Sequence, residues 1–110
     1  MIIYISRGGK MKEEKVAMIC KALGDANRLK ITSLLTKGER CACELLEEFN
    51  ITQPTLSHHM KVLGEAELVT SRKDGKNTYY QINCDTFSSF RDYFNETVCC
   101  NRTTCCSDKD

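Results

Sequence analysis

Apolar side chains in the first half of the chain recur at three- and four-residue steps, the period of a helix that buries one face. Residues 12–23 carry Val16, Ile19, Cys20 and Leu23 on one stripe, and Gly24 can take the left-handed backbone that ends a helix. Asp25 offers a carboxylate oxygen to the free N–H groups of a second helix, whose Ile31, Leu34 and Leu35 point inward and which ends at Gly38. A short third helix presents Leu45, Leu46 and Phe49, with Cys41 and Cys43 at its start and Asn50 near its end. Thr52 suits the cap of a fourth helix, and Pro54 is tolerated in the first turn because the N–H it lacks has no partner there. Leu56, Met60 and Leu63 make the apolar stripe of that helix.

Past Leu68 the pattern changes. Residues 68–72 and 78–82, joined by an Asp74-Gly75 turn, predict a β-hairpin. Asp85 can then cap a last helix in which Phe87, Phe90, Phe94 and Val98 recur at helical spacing. The order α-α-α-α-β-β-α, with only a few residues between the third and fourth helices, predicts a mainly helical winged helix-turn-helix with the hairpin as wing. At 110 residues, 41% of them apolar, the chain has room for one core. The expected division is an arm over 1–11, the winged domain over 12–98 and a cysteine-rich tail over 99–110.

With Leu56, Met60 and Leu63 inward, Thr55, Ser57, His58 and Lys61 fall on the flanks and far side of the fourth helix, and Gln53 projects from its first turn. These groups can reach base edges and phosphates in a major groove about 12 Å wide, where a glutamine can bond an adenine edge in bidentate fashion. At the hairpin tip Arg72, Lys73 and Lys76 carry the charge to touch the DNA backbone or minor groove. The net charge of +1 means that affinity for a polyanion depends on where the basic groups sit. The expected partner is double-stranded DNA. The phenylalanine stripe exceeds what so small a domain readily covers, which predicts a homodimer and hence a palindromic site.

Three function classes are disfavoured. No apolar run approaches the roughly 20 residues of a membrane span. The apolar opening, residues 1–5, is shorter than a secretory core of roughly 7 to 15 residues and precedes its basic residues, so a cytoplasmic chain is expected. No phosphate loop, carboxylate pair or placed nucleophile and base suggests an enzyme, and no organic cofactor is expected.

The runs LGDANRLKITSLL, CACELLEEF, TQPTLSHHMKVLGEAELV and RKDGKNTYYQIN, spread over residues 13–98, resemble the arsenic- and metal-responsive ArsR/SmtB repressors. The resemblance implies a dimer held by the first and last helices, a recognition helix over 53–64, a wing over 68–83, and release of operator DNA when an inducing ion binds.

Eight cysteines without an export signal point to reduced thiols and metal or redox chemistry. Metal-sensing members of the resembled family often carry Cys-x-Cys at the start of the third helix, which Cys41 and Cys43 match. The third cysteine of the arsenite-sensing version would fall at Leu46, so another thiol must complete such a site. Residues i and i+2 point about 200° apart on a helix, so both sulfurs meet one ion only if the first turn opens or Cys41 stays outside it. Cys99, Cys100, Cys105 and Cys106 form a second candidate cluster, and a carboxy-terminal cluster like Cys99, Cys100 and Cys106 occurs in some arsenite sensors of the family. Soft thiolates favour As(III), Sb(III), Cd(II), Pb(II) or Zn(II) as inducer. Cys20 and Cys84 are expected to be buried and structural. Other family members bind zinc through His and Asp pairs on the last helix, but residues 85–98 contain no histidine. The competing reading is a redox switch in which the thiols form disulfides.

Overall fold

The computed structural model describes residues 11–98. Helix α1 (Glu13–Leu23) opens with Glu13 and Glu14 near its positive end and closes with Lys21 near its negative end. Its inward side chains are Val16, Ile19 and Ala22. Cys20, one residue and about 100° beyond Ile19, is exposed rather than buried as expected. Gly24 ends the helix at φ −81°, ψ 40°, outside the left-handed region, because its N–H closes a tight turn onto the Lys21 carbonyl.

Helix α2 (Ala26–Leu35) is capped as the sequence predicts: Asp25 Oδ1 accepts from the N–H groups of Asn27 at 2.9 Å and Arg28 at 3.3 Å. The chain leaves α2 through Gly38 at φ 137°, a conformation other residues rarely adopt. It then forms strand β1 (Arg40–Cys41), helix α3 (Ala42–Glu47) and helix α4 (Gln53–Glu65). Thr52 caps α4 by accepting from the Thr55 N–H at 3.3 Å.

Strands β2 (Val69–Asp74) and β3 (Asn77–Ile82) form the hairpin, turned at Gly75 with φ 67°. Their antiparallel register sets Arg72 opposite Tyr79. The sheet has a third member that the sequence did not reveal, because β1 pairs with the free edge of β3, Arg40 against Tyr80 and Cys41 against Tyr79. Helix α5 (Cys84–Tyr93) starts earlier than a cap at Asp85 would allow: Asn83 holds the N-cap position without a side-chain cap bond, Asp85 lies in the first turn, and the helix continues as a π-helical turn, Phe94–Val98. Cys84 is exposed, contrary to expectation, because it is the first residue of α5 and the inward position of that turn belongs to Thr86.

The core gathers Ile19 from α1, Ile31 and Leu35 from α2, Leu45 from α3, Leu56, Met60 and Leu63 from α4, and Leu68 and Val69 at the root of the wing. Each such side chain contributes roughly 1.5–3 kcal/mol by leaving water. Phe87 and Phe90 pack against this cluster only in part, and Phe90 meets Phe94 edge to face at 5.1 Å. The aromatic stripe is therefore half-buried within one protomer. Among the described residues no helix is long and apolar enough to cross a membrane.

Candidate nucleic-acid interface and thiol pair

Helix α4 divides into two faces. Leu56, His59, Met60 and Leu63 are buried, while Gln53, Thr55, Ser57, His58 and Lys61 are all exposed. Thr55 also serves the cap, since its hydroxyl accepts from the Thr52 hydroxyl at 3.0 Å. Gln53, Ser57, His58 and Lys61 have no such engagement among the described residues.

His59 shows how the helix is seated. The residue is only 6% exposed, and Nδ1 lies 3.0 Å from Arg28 Nη1. A guanidinium can only donate, so Nδ1 is the acceptor and the ring is neutral. Burial holds the His59 pKa below its ordinary value, with Arg28 and His58 adding to the depression and Asp25 opposing it. Arg28 is itself held by a bond from Nε to the Ala22 carbonyl at 2.6 Å. This polar tie between α1, α2 and α4 has no local sequence signal, since Arg28 and His59 are 31 residues apart.

The basic wing residues separate into two kinds. Lys73 and Lys76 are exposed at the tip. Arg72 is engaged: Nε and Nη2 donate to the two carboxylate oxygens of Glu39, each at 2.9 Å, and the guanidinium lies 4.6 Å above the Tyr79 ring. Arg72 thus has a partner within the chain, which the expectation of a DNA contact did not include. Its hydrogen bond to Glu39 raises the Arg72 pKa and lowers that of Glu39.

Between α3, α4 and the wing runs a cleft of about 210 Å³, lined by Cys43, Gln53, Ser57, Lys76 and Tyr80 among others. The structure therefore brings one thiol together with two candidate base readers and one candidate phosphate contact.

The geometry of the Cys-x-Cys pair follows from strand β1. Cys41 is the cap of α3, with extended backbone at φ −84°, ψ 162°, and its N–H donates to Glu44 Oε1 at 2.9 Å. Because Cys41 stays outside the helix, its sulfur is free to approach Cys43 in the first turn, the second of the two routes the spacing allows. A hydrogen bond with the Cys41 thiol is the main cause that pushes the Cys43 pKa above the ordinary thiol range. Cys41 is buried and Cys43 exposed. Leu46 lines the same cleft, and among the described residues no group of three or more His, Cys, Asp or Glu side chains could hold a metal ion. Cys99, Cys100, Cys105 and Cys106 lie outside the described residues.

Comparison with known proteins gives a consistent result. The family model described as "Bacterial regulatory protein, arsR family" matches residues 25–71, from the cap of α2 into β2. The arsenical resistance operon repressor of Staphylococcus aureus is 55% identical over 73 residues, covering 66% of this chain and 70% of that protein. Its counterpart in Staphylococcus xylosus is 49% identical over 88 residues, covering 80% of this chain and 81% of that protein. Among solved structures, the homodimeric winged helix-turn-helix DNA-binding domain Mb0332 of Mycobacterium bovis, a possible ArsR-family regulator, superposes with a TM-score of 0.62 at 29% identity, covering 77% of each chain.

Proposed function

This chain belongs to the arsR family of bacterial regulatory proteins, and from that premise we propose that it is a homodimeric repressor that leaves a palindromic operator when its thiols capture As(III), Sb(III) or a soft divalent ion. One observation carries the reading: Cys43 opens into the same cleft as Gln53, Ser57 and Lys76. Helix α4 enters the major groove, with Gln53, Ser57 and His58 toward base edges and Lys61 toward phosphate. Thr55 contributes through the cap and at the flank. Lys73 and Lys76 meet the backbone from the wing. The half-buried aromatic stripe of α5 and the outer face of α1, where Met18 is exposed, supply the dimer contact. A homodimeric structural neighbour supports that assembly.

Capture of an ion at Cys41 and Cys43 requires both sulfurs as thiolates, so it expels protons and strengthens as pH rises. Further ligands come from the tail, residues 99–110, which supplies Cys99, Cys100, Cys105 and Cys106. An ion and its ligands in the cleft oppose the geometry that admits DNA. An affinity difference of about 10⁴-fold between the two states would reverse the population almost completely.

The test is operator binding by reduced protein, read by fluorescence anisotropy with the duplex upstream of its own gene. Arsenite or cadmium should release the DNA. Cys41→Ser and Cys43→Ser should bind DNA as the parent does and fail to release it. Induction that survives both changes and disappears in Cys99→Ser or Cys100→Ser would assign sensing to the tail. A reduced protein that binds no such duplex would remove the whole reading.

A further inference from the structure

The wing is fastened twice to the strand that carries Cys41. Through the backbone, Cys41 pairs with Tyr79, which pairs on its other side with Arg72. Through side chains, Arg72 reaches back to Glu39, two residues before Cys41, with both donor pairs at 2.9 Å and the Tyr79 ring beneath at 4.6 Å. Cys41, Tyr79, Arg72 and Glu39 thus close a ring of contacts. Exposed ion pairs usually contribute little, but a two-pronged arginine–carboxylate pair stacked on an aromatic ring has a fixed geometry. The remaining Arg72 nitrogen, Nη1, lies 3.8 Å from Asp74 Oδ2. To grip a phosphate with the Nε and Nη2 edge Arg72 would have to let go of Glu39. Lys73 and Lys76 are under no such constraint among the described residues.

We infer that Arg72 is a positioning residue: with Glu39 it forms a strut that sets the wing against the Cys41-bearing strand, and Lys73 and Lys76 make the phosphate contacts. This rests on the reading of the hairpin as a wing that touches DNA. The strut also gives the thiol pair a direct mechanical link to the wing, since a shift of β1 moves Glu39 and Arg72 with it.

Salt dependence separates a strut from a phosphate contact. Operator affinity of the full chain is measured across a potassium chloride series for Glu39→Gln, Arg72→Gln, the double variant and the charge swap Glu39→Arg with Arg72→Glu. Lys76→Gln serves as comparator, and circular dichroism checks each fold. Each single change should weaken binding severalfold, the double change no further, and the swap should regain most of the loss. The slope of log affinity against log salt should match the parent in all four, whereas Lys76→Gln should reduce it by about one. The inference is overturned if Arg72→Gln reduces the slope by about one while Glu39→Gln leaves binding unchanged or tightens it. A swap as weak as Arg72→Gln alone overturns it as well. A parent protein that binds no duplex at any salt overturns the underlying DNA reading, a result visible before any variant is compared.

Discussion

Helix α4 and the wing face the same cleft but are held in place by different forces. Helix α4 sends Leu56, His59, Met60 and Leu63 into the core, an inward side chain at every turn. Strand β2 buries only Val69 of its six residues, and β3 buries none completely. The helix is therefore set by packing, which salt barely touches, whereas the wing is set by ladder hydrogen bonds and by the Glu39–Arg72 pair, which salt and ion binding can perturb. Under the proposed function the consequence is a division of labour: the element proposed to read bases is fixed by the core, and the element proposed to steady the DNA backbone is fixed by contacts at the surface.

The contrast can be broken at its strong end first. Leu63→Ala, at a fully buried position, should cost about 2–5 kcal/mol of stability, measured by urea denaturation, whereas Lys73→Ala on the wing should stay within about 0.5 kcal/mol of the parent. Equal losses at the two sites would erase the distinction. A smaller effect separates reading from seating: Gln53→Ala should leave the melting temperature unchanged yet cost roughly 1–3 kcal/mol of discrimination between the operator and a base-substituted duplex.

The smallest effect concerns pH. Because the His59 pKa is lowered on folding, the unfolded chain binds the proton more readily, so stability rises with pH while the ring titrates. The contribution of neutral His59 is complete above its ordinary value of about 6.5 and is lost as pH falls toward the lower folded value. The urea midpoint should be lower at pH 5.5 than at pH 7.5, and His59→Gln should flatten that difference. An unchanged difference would show that His59 does not govern it.

Much of this was legible in the sequence because the signals were local. Asp25 and Thr52 sit immediately before the helices they cap, and the inward residues of α4 follow the 3.6-residue period. The Gly75 turn and its flanking strands were likewise visible. Strand β1 was not, because two residues are too few to show any period. Nor were the ties that shape the site: Arg28 to His59 spans 31 residues and Arg72 to Glu39 spans 33, separations at which a sequence carries no pairing rule. Cys20 and Cys84 were misjudged for a geometric reason, since one step along a helix is enough to turn a small side chain from the core to the surface.

The unequal accessibility of the paired sulfurs gives the proposed capture a time order. An arriving ion meets the open Cys43 first, so that residue governs how fast encounters succeed, while the sheltered Cys41 engages afterwards and governs how long the ion dwells. Brief exposure of the reduced protein to a thiol-labelling reagent should therefore modify Cys43 before Cys41.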